Sequence, residues 1–426
     1  MGSSRHALLA DRAAVLVVLW DGAELDVEMK RRLTKLQARM GEAGMDAALL
    51  LHPRDVLYYG GTARPASLLV VASGGSSTTG RPSGAEAILF VRRGLPFARQ
   101  EATVEHLEPM RSFSDVTKAV SELGLTSGVL GVELDVIPAQ LVRRLEKAFA
   151  GWSVVDLSSL VLDQRMTKDE EEIEATRRAA AAADAGHRRL PQVATAGMSE
   201  LALVAEVEQA MRLAGHEGSQ PLRHPGARGG GMLLMSGENL TVRGGHGLVV
   251  TGGGLSAGTP YGASRRRLEA RDLIVLDTGS TSDAYTADES RTFVVGEATE
   301  EQRALFEVTR DAEEAVLESL GAGVSIGDVY AAAEAVVDGG AEPYFAPGSL
   351  TLPGFVGHGI GLELDEPPVL WPREDSRLRE GMVLAIEVEV SAPERGLMTK
   401  LEDTVVVRSG GCEVLTHAPR DLIECG

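Results

Sequence analysis

The sequence predicts two domains: an α/β domain over residues 28–162, and over residues 163–426 an α+β domain whose helices cover a curved antiparallel sheet. Three observations support this fold class. The chain has 426 residues, and domains commonly run about 100–200 residues. In the first part, single apolar strands alternate with helical stretches, as in α/β domains. In the second part, apolar strands come in pairs around short turns, with helices between the pairs.

The first domain opens with a helical pattern over residues 28–45, where Leu33, Leu36 and Met40 share one face. Strands are predicted in the later runs ALLLH, ASLLVVAS, AILFVRR and VLGVELD. Each run is short and rich in Val, Leu and Ile, and helical stretches lie between them. The alternation predicts a sheet with helices packed against it.

The second domain opens with a predicted helix. Thr167 and Glu170 form the pattern of a capping box, which predicts a helix that begins at Lys168. The helix should end at Pro191, because proline has no amide proton to donate. Ser199 is predicted to cap a second helix. Two further helical patterns cover residues 300–320 and 326–337.

The first strand pair of this domain covers residues 272–280 and 284–295. A two-residue turn at Ser282 and Asp283 would place Asp277 directly opposite Asp288, with their Cβ atoms about 5 Å apart. Two bare carboxylates at that distance repel each other, and one of them would hold a proton. A bound divalent cation removes the conflict.

The second strand pair covers residues 381–390 and 399–407. A loop centred on Glu394 and Arg395 places Glu387 opposite Glu402 in the same way. Two solvated acidic hairpins are the alternative interpretation. It is disfavoured because both hairpins place their acids inside apolar strands, where an unpaired charge is costly.

One histidine joins these four acids: His358, in the run VGHGIGLELDEPP. Four carboxylates and one imidazole are hard ligands that suit one or two divalent ions of the Mn, Co, Fe or Zn kind. Such ions support hydrolytic chemistry. The second domain is therefore predicted to be a metal-dependent hydrolase domain.

The chain resembles the pita-bread metallohydrolases, a family that holds prolidase, aminopeptidase P, methionine aminopeptidase and creatinase. The matching strings, in the family's order, are DTGSTSDAYTADESRTF, GHGIGLELDEPP, GMVLAIE and LEDTVVV. The run RRLTKLQARMGEAGMDAALLLHPRDVLYYGGT resembles the start of the creatinase-type N-terminal domain. The resemblance implies such a domain over residues 28–162 and a pita-bread catalytic domain over residues 163–426.

The resemblance also implies a ligand set for two divalent metal ions: Asp277, Asp288, His358, Glu387 and Glu402. In the family, the residues at Asp288 and Glu402 bridge the two metals. The residue at Asp277 binds one metal, and those at His358 and Glu387 bind the other. By the same analogy, Glu387 takes a proton from the attacking water and delivers it to the leaving nitrogen.

Two departures from the family pattern concern the peptidase histidines, which help to hold the substrate carbonyl and to move protons. Peptidases of the family carry a second histidine seven residues after the metal histidine, where this chain has Asp365. They carry another roughly 17–21 residues before the first metal aspartate, a window that here covers residues 256–260 and holds no histidine. His246 and His224 lie in or near a glycine-rich run and are candidate replacements. We predict Glu387, Asp365 and His246 as the catalytic side chains.

Composition narrows the range of partners. The formal net charge is −20, from 42 basic and 62 acidic residues, which argues against nucleic acid or an anionic membrane as a partner. No apolar run approaches the roughly 18 residues of a transmembrane helix. The two cysteines, Cys412 and Cys425, cannot build a disulfide framework and predict reduced thiols in the cytoplasm.

These observations predict a metal-dependent hydrolase that cleaves a C–N bond, specifically an Xaa-Pro peptide bond, in a short-peptide or small-molecule substrate. We expect a homodimer. One alternative is a creatinase-like hydrolase or lyase that acts on a non-peptide small molecule, which the missing histidines favour. Another is a non-catalytic binding module on the same fold, which is disfavoured because all five metal ligands are present.

Overall fold

The computed structural model describes residues 22–72, 87–218, 220–223, 232–244 and 249–426. Contacts between residues divide the chain into two compact units, Met1–Val161 and Leu162–Gly426. No helix within the described ranges is long and apolar enough to cross a membrane.

The first unit is built on a six-stranded mixed sheet with strand order β4–β3–β2–β1–β5–β6. Its strands are β1 Ala47–Leu50, β2 Ala66–Val71, β3 Ala87–Val91, β4 His106–Pro109, β5 Gly128–Val132 and β6 Trp152–Asp156. Its helices are α1 Gly22–Glu42, α2 Pro53–Gly60, α3 Leu95–Glu101, α4 Phe113–Glu122 and α5 Ala139–Ala148, and α6 Ser158–Arg165 follows across the boundary between the units. The prediction of an α/β first part is confirmed.

The core of the first unit forms where alternate strand residues meet helix faces. Leu49, Leu69 and Phe90 are buried on one face of the sheet, together with Val116 of α4 and Leu145 of α5. A capping box at Ser112 begins α4, so the sequence itself fixes where this helix starts and which side it buries.

Within its described residues, the second unit has four longer helices: α7 Glu170–Val193, α8 Glu200–Leu213, α9 Glu300–Ser319 and α10 Ile326–Gly339. The Ser199 cap is confirmed, since its side chain accepts a hydrogen bond from the amide of Ala202. The predicted start of α7 is wrong. Asp169 is the N-cap, in a capping box with Glu172, while Thr167 forms a β-bridge with Met382 instead.

The predicted end of α7 is also wrong, because Pro191 lies inside the helix, which continues to Val193. Proline removes only its own amide donor. The last turn still closes through the amide of Ala194, which donates to the carbonyl of Leu190 at 3.0 Å. One missing bond near the end of a long helix therefore does not stop it.

The sheet of the second unit has nine strands in a curled, antiparallel half-barrel. The main strand order is β11–β10–β12–β13–β9–β8–β7, with β14 paired to β13, and β15 added to β9 in parallel. The strands are β7 Leu233–Ser236, β8 Leu273–Ser282, β9 Tyr285–Val295, β10 Gly357–Gly359, β11 Glu366–Val369, β12 Val383–Ala392, β13 Leu397–Arg408, β14 Gly411–Val414 and β15 Ile423–Cys425.

The helices of the second unit pack on one face of each central hairpin, with α7 against β8 and β9, and α9 against β12 and β13. On β12 the apolar residues Leu384, Ile386 and Val388 join the core that α9 and α10 form. Because strand side chains alternate, Glu387 and Glu389 project from the opposite face. This alternation directs acids to the face of the hairpin that α9 does not cover.

The register predicted for the first hairpin is wrong by two residues. The turn consists of Asp283 and Ala284, both with positive φ, as a two-residue hairpin turn of type I′ requires. Asp277 therefore pairs with Ser290, and Asp288 pairs with Gly279. A shift of two residues keeps every side chain on its face, so the two aspartates remain on one face as diagonal neighbours, for which about 7–8 Å is typical.

The register predicted for the second hairpin is confirmed, since Glu387 lies directly opposite Glu402. Strands β12 and β13 pair without interruption from Val383 to Ala392, and a short loop closes them. The two hairpins then join, because β13 also pairs with β9 through Glu402 and Ser290. The acids of both hairpins therefore lie close together on one face of the joined sheet.

Candidate metal centre

Five neighbouring strands each contribute one of the predicted metal ligands. In strand order these are His358 on β10, Glu387 on β12, Glu402 on β13, Asp288 on β9 and Asp277 on β8. All five side chains are buried. A group of acids buried side by side needs a positive charge among them to be tolerated.

Three of the five converge most closely. Asp288, His358 and Glu402 each offer a ligand atom within 4.8 Å of the other two. Two atoms bound to one ion at about 2.0–2.2 Å lie no more than about 4.4 Å apart, so small rotations of the side chains close this group around an ion. The Nε2 atom of His358 also lies 3.6 Å from Oε1 of Glu387, which places that carboxylate beside the same group.

The site contains a positive charge that the sequence analysis missed. The Nζ atom of Lys400, on β13, lies 2.6 Å from Asp277 Oδ2, 2.8 Å from Glu387 Oε2 and 3.1 Å from Glu402 Oε2. Its side chain is 2% exposed. The sequence did hold a signal, because Lys400 precedes Glu402 by two residues and so shares its face, in a strand that is otherwise buried.

The Lys400 ammonium shows that the carboxylates suit a cation. Three oxygen atoms from three strands surround it at hydrogen-bonding distance, and this donor set of hard anionic oxygens is the kind that divalent ions take. The residues therefore fit a metal centre, with one cation position already defined by the protein's own lysine.

The imidazole of His358 is oriented through its other nitrogen. Nδ1 lies 2.9 Å from the carbonyl oxygen of Gly359 and 3.7 Å from Oδ1 of Asp365. A proton on Nδ1 satisfies that carbonyl and leaves the lone pair of Nε2 directed at the acids, which is the arrangement that metal-binding histidines need.

Burial shifts the pKa values of the acids upward. It raises the pKa of Asp288 well above its usual range, and the charges of Glu402 and Asp277 add to the shift. Burial also raises the pKa of Glu402 to about 8, although Lys400 opposes the effect. Without metal, the centre therefore holds protons near neutral pH that a divalent ion must displace.

The two basic groups shift in the same direction. Burial acts to lower the pKa of His358, but Asp365 and Glu387 outweigh it and the pKa is raised. Burial likewise acts to lower the pKa of Lys400, and Asp277 and Glu387 hold that pKa well above its usual range. The lysine is thus a permanent charge at any pH at which the protein functions.

We expect the affinity of metal-free protein for Mn²⁺ to rise between pH 6 and pH 8. The carboxyl of Glu402 and the imidazole of His358 must lose protons to bind an ion, and both have raised pKa values. For each displaced proton the affinity gains roughly tenfold per pH unit until the pKa is passed. Titration calorimetry in buffers of different ionisation enthalpy measures the protons released. A flat affinity with no proton release would contradict this.

Two of the three predicted catalytic residues can be placed. Glu387 lies within the centre, as described. Asp365 follows β10, and its side chain is 61% exposed and lies 3.7 Å from Nδ1 of His358, so it stands beside the imidazole and not among the buried acids. His246 and His224 lie outside the described residues. The window 256–260 forms a tight turn closed by a bridge between Ser256 and Thr259.

A buried network holds the metal strands from the side of the sheet that faces the helices. The guanidinium of Arg291 on β9 lies 2.7 Å from Asp403 and 3.0 Å from Glu289. It also donates to the backbone carbonyl of Glu402 at 2.7 Å. Arg291 thereby links β9 to β13 next to the positions of Asp288 and Glu402.

Comparison with known protein families places the chain. The sequence profile described as metallopeptidase family M24 matches residues 174–409, more than half of the chain. The chain belongs to metallopeptidase family M24. A second profile, the creatinase/prolidase N-terminal domain, matches residues 32–167. The expected relationship to prolidases and creatinases is confirmed.

The alignments with similar proteins cover nearly the whole length of this M24 chain. An Xaa-Pro dipeptidase from Pyrococcus furiosus is 26% identical over 398 residues, which are 93% of this chain and 100% of that protein. Among solved structures, an X-Pro aminopeptidase from Thermotoga maritima aligns with a TM-score of 0.73 at 26% identity, covering 93% of this chain and 99% of its own. The prolidase from Pyrococcus horikoshii aligns with a TM-score of 0.72 at 26% identity, covering 93% and 100%.

These matches confirm the pita-bread fold for the catalytic domain of this M24 protein, with a creatinase-type fold before it. M24 proteins are metallopeptidases, so the chain is a metal-dependent hydrolase that uses divalent ions. The convergence of the five predicted ligands on one face of the sheet agrees with that membership.

Proposed function

We propose that this M24 protein hydrolyses the peptide bond before a proline, in short peptides. The observation that carries the proposal is the convergence of Asp288, His358 and Glu402 on one face of a prolidase-like sheet. The relatives named as Xaa-Pro dipeptidases match over almost the full length of the chain, which favours proline-directed substrates over other amides.

Divalent ions would be held by Asp277, Asp288, His358, Glu387 and Glu402. A bound ion of the Mn, Co, Fe or Zn kind activates water and polarises a carbonyl group. The Lys400 ammonium competes with a second ion for three of these side chains, since Nζ contacts Asp277, Glu387 and Glu402 at 2.6–3.1 Å.

Glu387 is the residue proposed to move the proton. Its Oε1 atom lies 3.6 Å from Nε2 of His358 and its Oε2 atom lies 2.8 Å from Nζ of Lys400, so the carboxylate is held beside the proposed metal position. It takes a proton from the attacking water and passes it to the nitrogen of the leaving group. His358, held through Nδ1 by Gly359, keeps its Nε2 in place throughout.

Asp365 is proposed to set the form of the substrate. It carries an exposed carboxylate beside the imidazole of His358, 3.7 Å from Nδ1. A negative charge there disfavours the free carboxylate of a dipeptide and favours an amide, a longer peptide or a cationic group. Because Asp365 is largely exposed, water screens this effect, and about 1 kcal/mol is the scale to expect at 4 Å.

The test is a panel of substrates with Mn²⁺ or Co²⁺ added to metal-free protein. Ala-Pro, Ala-Pro amide and Ala-Pro-Ala test the proline-directed reaction, with Ala-Ala as the control for proline. Creatine-like and cyclic amidine compounds test the alternative small-molecule reaction, which Asp365 also favours. Cleavage of the small molecules with no turnover of any Xaa-Pro compound would overturn the proposal.

We expect kcat/KM for Ala-Pro amide to exceed that for Ala-Pro by about fivefold, which corresponds to about 1 kcal/mol. In Asp365→His this ratio should fall to one or below, because the repelling carboxylate is gone. Asp375→His, at an exposed aspartate away from the centre, is the matched control and should keep the wild-type ratio. Equal rates on the two substrates in wild type would show that Asp365 has no such role.

The compartment and the assembly are also proposed. Cys412 and Cys425 are free thiols, which supports a reducing cytoplasm. The homodimer expected from the sequence stays a prediction, and light scattering of the purified protein measures it directly.

A further inference from the structure

We propose that Lys400 serves as a built-in cation of this centre, so that the chain binds one divalent ion, at Asp288, His358 and Glu402, while the lysine ammonium fills the second cation position. The inference rests on the proposed metal site and not on the proposed substrate. It also revises the sequence-based expectation of two ions.

The first argument is the number and placement of the contacts. An ammonium group has three protons, and Nζ of Lys400 meets three carboxylate oxygens, on Asp277, Glu387 and Glu402. The side chain is as buried as the acids around it. The lysine is therefore fully satisfied inside the centre, and an ion that bound these three oxygens would lie close to the ammonium and be repelled by its charge.

The second argument is how Glu387 divides its oxygen atoms. Oε2 lies 2.8 Å from Lys400 Nζ, while Oε1 lies 3.6 Å from His358 Nε2. One carboxylate thus faces two separate cation positions. His358, Asp288 and Glu402 surround the first position, and Asp277, together with Glu387 and Glu402, surrounds the second, where the ammonium lies.

The third argument is that Lys400 does not pair with the acid directly opposite it in the sheet. Glu389 lies directly across from Lys400 in the register of β12 and β13, and it is buried. Its Oε2 accepts the amide of Val250 at 2.8 Å, and its Oε1 forms an ion pair with Arg243 at 3.6 Å. Lys400 nevertheless extends toward the metal ligands, which provide three acceptors where Glu389 provides one.

The test counts ions. Metal-free wild-type protein and Lys400→Met are titrated with Mn²⁺ by calorimetry and, after dialysis, analysed for bound metal by mass spectrometry. We expect one ion per chain in wild type and two in Lys400→Met, with the affinity for the second ion at least about tenfold higher than in wild type, since removing a like charge at contact distance gains that much or more. Spin-coupled Mn²⁺ pairs should appear in electron paramagnetic resonance of the variant only.

Arg243→Met is the matched control. Arg243 lies 3.6 Å from Glu389 and is 54% exposed, so its substitution removes the same charge near the centre without vacating the second position. It should bind one ion, as wild type does. If Lys400→Met does not fold without metal, Lys400→Gln keeps a hydrogen-bond donor for the acids while it removes the charge, and it should also bind two ions.

Three results would overturn the inference. Two ions of similar affinity in wild type would show that Lys400 leaves when metal arrives, and would leave the proposed function intact. One ion in both Lys400 variants would show that the lysine does not limit the count. No bound metal in wild type would overturn the proposed metal site as well.

Discussion

Glu402→Gln should abolish the metal-dependent activity while the metal-free fold stays intact. Glu402 takes part in both cation positions. It lies with Asp288 and His358 around the first position, and it contacts Lys400 at the second. Loss of a residue that only orients a ligand already costs about 10–100-fold, so kcat/KM should fall by more than about 100-fold. The metal-induced rise in Tm should disappear with it, because binding to the native state is what produces that rise.

The metal-free Glu402→Gln variant should remain within about 1 kcal/mol of wild type in its free energy of unfolding. The pKa of Glu402 is raised to about 8, so at pH 7 the wild-type carboxyl is mostly neutral, and an amide has its size and lacks its charge. Ser290 can still donate to the amide oxygen as it does to the carboxyl at 2.6 Å. Urea unfolding of both proteins in a chelator measures the difference.

Glu389→Gln is the control for this experiment. Glu389 is a buried glutamate on the same face, but it accepts the amide of Val250 and contacts none of the ligands. It should keep the wild-type metal affinity. Normal metal binding by Glu402→Gln, or loss of metal by Glu389→Gln alone, would contradict the assignment of the ligands.

Arg291→Met should destabilise the metal-free protein by roughly 3–5 kcal/mol, the cost of breaking a buried ion pair from one side. The variant leaves Glu289 without the guanidinium that lies 3.0 Å away in wild type. It leaves Asp403, 2.7 Å from Arg291 in wild type, with Arg420 as its remaining guanidinium partner. It also removes the hydrogen bond to the carbonyl of Glu402. Urea unfolding at pH 7 measures the loss.

Two controls accompany Arg291→Met: unfolding at lower pH, and a variant that breaks an ion pair at the surface. The pKa of Asp403 is lowered in wild type, since Arg291 and Arg420 outweigh its burial. Without Arg291 that acid can take a proton, so the loss of stability should shrink as pH falls toward 5. Arg178→Met breaks a half-exposed pair with Asp283 and should cost less than about 1 kcal/mol. Equal losses in both variants would refute the special role of the buried pair.

The strand pairs show what period-two patterning can predict. Glu387 and Glu402 are directly opposite as expected, because their hairpin continues to a loop whose centre is evident from Pro393 and Gly396. The first hairpin turns one residue later than expected, at Asp283 and Ala284. Alanine is an unusual residue for positive φ, so the sequence gives no warning. The face of each acid was nevertheless predicted correctly, because the error was an even number of residues.

The start of α7 shows a case in which local sequence allows two answers. Thr167 with Glu170, and Asp169 with Glu172, both match a capping box. The structure selects the second because Thr167 is engaged in a bridge with Met382, a contact more than 200 residues away in the chain. Lys400 was missed for a different reason, since only acids and histidines were considered as members of a metal centre.

The placement of one predicted ligand on each of five adjacent strands has a consequence for local opening of the sheet. Strands β10, β12, β13, β9 and β8 are the inner five of the main strand order, and β11 and β7 flank them. Any opening that separates the strands of Asp288, His358 and Glu402 from one another also breaks the proposed coordination, so a bound ion adds its binding free energy to the cost of that opening. Peeling of β7 or β11 breaks no ligand contact. Amide hydrogen exchange should therefore slow with metal in β10, β12, β13 and β9 and remain unchanged in the flanking strands β7 and β11.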